Sequence, residues 1–390
     1  MKKILAAASV MILLFVLFAP AASADDEVQV DESKLDMDYY SQLSGQNITI
    51  YVYNWGEYIS DGSDGSLDVN SEFERITGIK VNYTTFATNE EMYAKIKSGG
   101  AQYDVIVPSD YMIAKMINED MLEPLDSGDI PAWSGIGDSY LGLAHDPDDE
   151  YSIPYMWGMV GIIYNTKYIE DPPDSWSALW DENYMGQILM FSNSRDAYGI
   201  ALKMLGYSMN TTSLEEIDEA TQALKDQHML VQAYCMDEIF NKMEGEEAII
   251  GPYYAGDAVT MMDENPDLAF VYPEEGTNQF VDSFVIPKGT RNKLAAEMYI
   301  NFMCEPEVSA ANAEYIGYFS PVEAAWDYLD METFAAVWPS EEVLAKSEVY
   351  TALPDDVNQY IDSSWTEVLT YNENANEWIG PVFLFGALGA

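Results

Sequence analysis

The chain has 390 residues, and its 67 acidic side chains against 17 basic ones give a formal net charge of −50. Such an excess of negative charge argues against binding to nucleic acid, whose phosphates the protein would repel, and it would concentrate cations near the surface. The length suits two domains of ordinary size, each able to bury its own core.

The first 24 residues have the pattern of a secretory signal peptide. Lys2 and Lys3 precede an apolar run over 4–20, and Ala22-Ser23-Ala24 forms a small-residue cleavage site. An uncleaved membrane anchor is the alternative, but Pro20 and the small residues favour cleavage. We therefore expect export to the periplasm or an equivalent space. Residues 25–46 are acidic and lack a clear period, which predicts a flexible tether.

The first strand of the mature chain begins at Ile48 and has apolar residues on both faces, as a buried parallel strand does. Trp55, Glu57 and Tyr58 follow it, at the strand end where ligands bind in open α/β sheets. An aromatic ring beside a carboxylate suits an organic ammonium ion. A surface turn after a core strand is the alternative interpretation.

The next elements continue a β-α-β-α-β order, with helices over 67–77 and from the capping box at 88–91, and strands over 79–86 and 104–107. This order predicts a parallel, doubly wound sheet. Ser109 and Tyr111 follow the third strand, where they would lie beside Trp55 and Glu57. The alternative is a helix N-cap serine with a packing tyrosine.

A second α/β unit begins near residue 151, with strands over 160–164, 188–191 and 248–254. Polar and aromatic residues again follow these strands: Asn193, Asp196, Tyr254 and Asp257. A strand over 280–287 alternates, so that Asp282 would face a crevice rather than a core.

The cysteine and histidine content limits the chemistry. Cys235 and Cys304 could form one bridge or stay as two buried thiols. His145 and His228 are far apart in sequence, which leaves no histidine-based metal signature and few candidates for a general base. We expect no metal, no cofactor and no catalytic residues. The apolar segment 379–390 is too short to span a bilayer.

Several long motifs, in order between residues 48 and 318, resemble the polyamine-binding (spermidine/putrescine) periplasmic proteins of bacterial ABC importers. They are Tyr53-Asn54-Trp55-Gly56-Glu57-Tyr58, Glu91-Met92-Tyr93-Ala94-Lys95, Tyr103-Asp104-Val105-Ile106-Val107-Pro108-Ser109, Tyr151-Ser152-Ile153-Pro154-Tyr155-Met156-Trp157-Gly158, Asp282-Ser283 and Ile316-Gly317-Tyr318. The resemblance implies an α/β, two-lobed periplasmic-binding-protein fold of type II. Each lobe would be a doubly wound, mostly parallel sheet, with a ligand cleft between the lobes that closes in a hinge motion.

With this fold, the expected domain limits are 1–24 for the signal peptide, 25–46 for the tether and 47–153 for the first part of lobe 1. Lobe 2 would span 154–281, and 282–322 would return to lobe 1. Residues 323–390 would form C-terminal helices packing on lobe 2, followed by the apolar tail.

The resemblance also implies a ligand set. The residues on family ligand positions are Trp55, Glu57, Tyr58, Ser109, Tyr111, Asp196, Asp282 and Tyr318. Tyr254 and Phe280 stand where the family has tryptophans. Asn193 replaces an aspartate of the spermidine-type members, and Asp257 matches the putrescine type, which favours putrescine over spermidine.

The expected function is that of a monomeric solute-binding protein, not an enzyme, that captures polyamines and delivers them to the permease and ATPase subunits of an ABC importer. Three alternatives stay open. The protein could bind another cation, or ferric iron through Tyr58 and Tyr318. It could be an extracellular hydrolase using two of the carboxylates, or a cell-surface adhesion protein.

Overall fold

The computed structural model describes residues 28–100 and 102–371. The strands of this part are β1 (Thr49–Trp55), β2 (Lys80–Phe86), β3 (Val105–Ile106), β4 (Leu122–Glu123), β5 (Ser152–Asn165), β6 (Ile188–Phe191), β7 (Val231–Cys235), β8 (Ile250–Tyr254), β9 (Leu268–Val271), β10 (Asn278–Pro287) and β11 (Glu348–Val349). The helices are α1 (Met37–Tyr40), α2 (Val69–Thr77), α3 (Asn89–Lys97), α4 (Asp110–Asn118), α5 (Ser194–Met204), α6 (Leu214–His228), α7 (Glu238–Glu244), α8 (Ala255–Glu264), α9 (Lys293–Met303), α10 (Pro306–Ile316), α11 (Met331–Phe334), α12 (Glu341–Lys346) and α13 (Asp355–Leu369).

Two parallel groups of strands flank a pair of antiparallel ones. The order across the sheet is β2-β1-β3-β10-β5-β8-β6-β7. Strands β1, β2 and β3 are parallel to one another, as are β6, β7 and β8. Between these groups, β10 and β5 pair antiparallel with each other and with their outer neighbours. Two α/β units are therefore joined through two long strands, with the carboxyl ends of both parallel groups available to form one cleft.

Buried apolar side chains divide in the same way. One large group surrounds β1 and includes Phe73 and Phe302, and the other surrounds β6 and includes Trp176. Along β5, the residues that belong to the core around β1 end at Met156, and those that belong to the core around β6 begin at Trp157. A smaller group, centred on Tyr53, lies between the first sheet and the helices α3 and α4. The limits that we predicted for the lobes stay a prediction, and the change of core along β5 falls three residues after the predicted one.

Local sequence signals set the ends of the first helices as predicted. The Asp68 side chain accepts a hydrogen bond from the Ser71 N–H at the start of α2, and Gly78 ends that helix with φ 75°. Thr88 caps α3 by accepting from the Glu91 N–H. These signals are local in sequence, which is why the residues alone were sufficient to locate these two helices.

The prediction that residues 25–46 form a flexible tether is wrong for residues 28–46, which pack on the rest of the protein. Tyr39 and Tyr40 are buried, and the Tyr40 phenol donates a 2.7 Å hydrogen bond to Glu305 Oε1. The Val30 N–H donates to Glu72 Oε1 at 2.9 Å. The prediction relied on the acidic composition of the segment. It gave too little weight to the two tyrosine rings, whose buried apolar surface holds the segment on the protein.

Other differences concern element lengths. The strand expected at 160–164 is the end of β5, a continuous, fully buried 14-residue strand. Helix α10 was not predicted, and α4, whose N-cap is Ser109, was predicted only as the alternative to a ligand position for Ser109 and Tyr111. Helix α13 packs through Val357, Ile361 and Trp365 on the core around β6.

Cys235 and Cys304 are both buried and are not bonded to each other. Of the helices in residues 28–100 and 102–371, none has both the length and the apolar character needed to cross a membrane. The predicted signal peptide and the apolar segment 379–390 lie outside the described residues.

Candidate functional site

A cleft lies where the carboxyl ends of the two parallel strand groups meet. It encloses about 640 Å³ not occupied by protein atoms. All the predicted site residues except Glu57 line it. These are Trp55, Tyr58, Ser109, Tyr111, Asn193, Asp196, Tyr254, Asp257, Phe280, Asp282 and Tyr318. Six stretches widely separated in sequence therefore contribute to one site.

Asp282 is the buried carboxylate on the β10 side of the cleft. Its Oδ2 accepts a 2.9 Å hydrogen bond from the Tyr58 phenol, while its Oδ1 is buried with no hydrogen-bond partner among the described residues. Burial raises the pKa of Asp282 to about 7, although the Ser109 and Tyr58 hydroxyls partly oppose this. An acceptor oxygen without a donor is thus present in the cleft.

A second carboxylate, Asp196, lies in the first turn of α5. Its Oδ2 accepts hydrogen bonds from the Tyr254 phenol at 2.6 Å and from Asn193 Nδ2 at 2.8 Å. Asn193 is the N-cap of α5, since its Oδ1 accepts from the Arg195 N–H at 2.8 Å. Burial raises the pKa of Asp196 above its usual value. Asn193 therefore holds Asp196 and the helix end together.

Asp257 lies in the first turn of α8 and accepts a 3.1 Å hydrogen bond from the Tyr318 phenol. Burial raises the pKa of Asp257 well above its usual value, and the charge of Asp237 adds to the shift. Asp237 itself is exposed at the rim, 3.4 Å from the Tyr253 phenol. Three of the four cleft carboxylates, Asp196, Asp257 and Asp282, are thus each paired with a predicted aromatic residue.

Aromatic rings form much of the remaining wall. Tyr254 meets Phe280 edge to face with ring centroids 5.5 Å apart, and Tyr58 meets Tyr318 in the same way at 5.0 Å. Trp55 rests on Phe86 at 4.5 Å. Such surfaces can contact the methylene groups of a flexible ligand and attract its cationic ends through their π faces.

Tyr318 is held in place by close backbone approaches. A Cβ atom at Gly256, in the first turn of α8, would overlap the Tyr318 ring. A Cβ at Gly158 would also be within 3.1 Å of that ring. Gly317, which precedes the tyrosine, ends α10 with φ 75° and lies against the Gly256 carbonyl. These glycines allow the ring to lie between the two cores.

One cation, Arg195, also lines the cleft. Its guanidinium lies 4.5 Å from the Tyr350 ring centroid and 5.6 Å from that of Tyr111. It donates hydrogen bonds to Asn210 Oδ1 and to the Thr351 carbonyl. Burial lowers its pKa below the usual value. The positive charge of Arg195 therefore lies near two aromatic rings, and it partly balances the negative charge of the cleft carboxylates.

Glu57 is the predicted residue that does not line the cleft. It is exposed, in the turn after β1, with a left-handed backbone at φ 46°. The turn directs Trp55 and Tyr58 into the cleft instead. A ligand role for Glu57 stays a prediction, and its charge contributes to the raised pKa of Asp257.

Sequence reasoning missed several lining residues, chiefly Asn89, Arg195, Asp237, Tyr253 and Tyr350. Tyr253 precedes Tyr254 and Arg195 precedes Asp196. Because Tyr254 and Asp196 were predicted to bind ligand, the sequence did indicate the two segments that carry Tyr253 and Arg195. Asp237 follows β7, a strand that was not predicted. Tyr350 comes from the C-terminal segment, where no motif marks it.

The donor set of the cleft favours binding of a cation over catalysis. Neither histidine lines it, and its one serine, Ser109, lies beside the carboxyl group of Asp282. Within the part of the chain that the structure describes, no group of three or more His, Cys, Asp or Glu side chains could hold a metal ion. Separated carboxylates and aromatic walls suit an organic ion with several positive charges.

Known proteins show the same architecture. Residues 102–345 match the family of bacterial extracellular solute-binding proteins. The chain is 36% identical over 308 residues to the spermidine/putrescine-binding periplasmic protein of Escherichia coli (strain K12), covering 77% of this chain and 86% of that one. The corresponding protein of Salmonella typhimurium is 35% identical over 311 residues, covering 78% and 87%.

A solved structure of a related protein has the same fold as this chain. The spermidine/putrescine ABC transporter substrate-binding protein of Streptococcus pneumoniae, in complex with calcium and HEPES, is 36% identical with a TM-score of 0.70, and the match covers 83% of this chain and 99% of that one. The predicted two-lobed α/β binding-protein fold is thereby confirmed. This chain belongs to the family of bacterial extracellular solute-binding proteins, and its similarity lies with the spermidine/putrescine-binding members.

Proposed function

We propose that this protein binds polyamines in the cleft and delivers them to an ABC importer. The observation that carries the proposal is the unpartnered Oδ1 of Asp282 in a cleft that also contains Asp196 and Asp257. A protonated amine supplies the missing donors and the opposite charge at once. Each charge-assisted hydrogen bond contributes roughly 1.5–3 kcal/mol, more than a neutral one.

Within the polyamines we propose putrescine as the preferred ligand and the residues lining the cleft as its site. A diamine has two ammonium groups, and Arg195 already places one fixed positive charge in the cleft. Asp282 with Asp196 would take one ammonium group, and Asp257 with Asp237 the other, because each pair is close enough for one charge to shift the pKa of its partner. Phe280 and Tyr254 would contact the methylene groups. A third ligand nitrogen would meet either the neutral amide of Asn193 or the guanidinium.

Ferric iron is less well supported as the ligand. Iron coordination needs phenolate oxygens, yet burial raises the pKa of Tyr58 and of Tyr318 well above the usual value. Both phenols already donate hydrogen bonds, to Asp282 and Asp257 respectively. Neither histidine lines the cleft, and we propose that the bound amine is released unchanged.

Isothermal titration calorimetry with putrescine, cadaverine, spermidine and ferric citrate tests this proposal. We expect binding of the amines with one site per chain, and no binding of ferric citrate. Chromatography of the recovered amine should show no product. The absence of heat with every amine, from protein shown to be folded by circular dichroism, would contradict the proposed function.

A further inference from the structure

A second cavity lies on the other face of the strand that carries Asp282. Phe280 and Asp282 of β10 line the cleft, whereas Gln279 and Val281 line the second cavity, because successive residues of a strand face opposite sides of a sheet. The space in this cavity that protein atoms leave free is about 1310 Å³, against about 640 Å³ for the cleft, and part of each volume is open to solvent. It is thus large enough for a small organic molecule.

Four large aromatic side chains line this cavity: Tyr140, Trp157, Trp338 and Tyr350. The ring centroids of Tyr140 and Trp157 are 5.9 Å apart, and those of Trp157 and Trp338 are 6.1 Å apart with the rings nearly perpendicular. Trp157 is buried, whereas Trp338 is 48% exposed. The exposed ring therefore marks the side that faces solvent, and the buried ring forms the inner wall.

The same cavity contains one deeply buried carboxyl group, Asp110. Asp110 is 1% exposed, and its Oδ1 accepts a 2.6 Å hydrogen bond from the Tyr111 N–H. Its Oδ2 is buried with no hydrogen-bond partner, and no lysine or arginine of the described residues forms an ion pair with it. A buried carboxyl oxygen without a partner is costly unless something binds it.

The charges around Asp110 do not supply that partner. Burial raises its pKa to about 8 and the nearby charge of Asp282 adds to the shift, while the Tyr111 and Val281 N–H groups and the charge of Arg195 oppose it. His145, which also lines the cavity, brings no positive charge near neutral pH because burial lowers its pKa to about 4. A residue that lines this aromatic cavity therefore has one buried carboxyl oxygen without a donor, and a ligand would have to bring the cation.

We propose that this second cavity binds an aromatic monoamine. Its ammonium group would donate to Asp110 Oδ2 once that carboxyl has released its proton to solvent, and its ring would lie among Tyr140, Trp157 and Trp338. A long polyamine is a poorer fit, since the cavity offers a single buried carboxylate and mostly apolar walls. The proposal does not depend on what the cleft binds, although Tyr350 lines both spaces and separates them.

The test uses 2-phenylethylamine as the probe, titrated by calorimetry into the full-length protein with and without saturating putrescine. We expect about one probe molecule per chain in both conditions. Asp110→Asn keeps the side-chain shape and should weaken probe binding about 10- to 100-fold, the loss expected for one charge-assisted hydrogen bond. The uncharged analogue 2-phenylethanol should bind as weakly to wild type as the probe binds to this variant.

Two further variants separate the cavities. Trp338→Ala should weaken the probe and leave putrescine affinity unchanged, while Asp282→Asn should weaken putrescine and leave the probe unchanged. Asp263→Asn, an exposed aspartate on α8, is the matched control and should alter neither. Displacement of the probe by putrescine, or equal probe affinity in wild type and Asp110→Asn, would overturn the proposal. Failure of putrescine to bind would count against the cleft function alone.

Discussion

The Tyr58 phenol donates a 2.9 Å hydrogen bond to one oxygen of Asp282 and leaves the other, Oδ1, without a partner. Tyr58 follows β1 and Asp282 lies in β10, so the pair links the start of the folded chain to a strand more than 220 residues later. The phenol fixes the carboxylate rotamer and accounts for only part of its hydrogen-bonding capacity. Asp282 is therefore oriented for a further donor before any ligand arrives.

Replacing Asp282 with asparagine should cost roughly 2–5 kcal/mol of putrescine binding, the range seen when one partner of a buried charge pair is removed. The amide keeps the size of the side chain but cannot balance an ammonium charge. Calorimetry at fixed salt measures the loss, and Asp263→Asn serves as the exposed control. Unchanged affinity in Asp282→Asn would mean that the ligand lies elsewhere.

Putrescine binding should strengthen as pH rises through about 7. The pKa of Asp282 is raised to about 7 by burial, so the carboxyl is protonated below that pH and must lose its proton to accept an ammonium donor. Below pH 7 the dissociation constant should rise by about tenfold per pH unit for one such group. Calorimetry in two buffers of different ionisation enthalpy should detect the released proton, and Asp282→Asn should release fewer.

The stability of the ligand-free protein should change in the opposite direction. Between about pH 4 and 7 the native state holds the Asp282 proton, whereas the unfolded chain has lost it. The unfolded state then binds fewer protons, so the free energy of unfolding falls as pH rises. Urea unfolding at pH 5 and 7 measures this, and a smaller pH dependence in Asp282→Asn than in wild type would support the assignment. An equal dependence in both would contradict it.

Gly256→Ala should weaken putrescine binding even though alanine favours a helix by about 1 kcal/mol over glycine. Its Cβ would overlap the Tyr318 ring, which is rigid and packed between the two cores. Overpacking of this kind costs about 1–3 kcal/mol of folding free energy. Because Tyr318 lines the cleft and donates to Asp257, a displaced ring should lower putrescine affinity by up to that amount, roughly 5- to 100-fold. Gly135→Ala is the control, because its Cβ meets only a Val322 methyl at 3.9 Å. Tighter putrescine binding by Gly256→Ala would contradict this prediction, because it would mean that the helix propensity of alanine outweighs the overlap with the Tyr318 ring.

The cleft was largely predictable because it is made where parallel strands end. Trp55 and Ser109 follow strands with clear apolar patterns, so topology alone brings them together. Tyr350 could not be predicted in this way, since it follows β11, a two-residue strand too short to show an apolar pattern. Glu57 lies outside the lining of the cleft for a local reason: the backbone is left-handed at that residue and its side chain is exposed, which composition does not reveal.

Asn193 is the residue on which the choice between putrescine and spermidine depends, and the structure gives it two contacts. Its Oδ1 caps α5, and its Nδ2 donates to Asp196 Oδ2 at 2.8 Å. Aspartate at this position would keep the cap, lose the donor to Asp196 and add a negative charge. A neutral amide can accept a hydrogen bond from an ammonium group but cannot balance its charge.

We therefore expect wild type to bind putrescine more tightly than spermidine, and Asn193→Asp to narrow or reverse that preference. The additional carboxylate would receive the third nitrogen of spermidine, and one charge-assisted hydrogen bond shifts the affinity ratio by about tenfold or more. Asn193→Ser keeps a capping oxygen without adding charge, so its ratio should stay that of wild type. Titrating both amines into the three proteins at fixed salt decides the matter, and spermidine binding by wild type as tight as putrescine would contradict the selectivity.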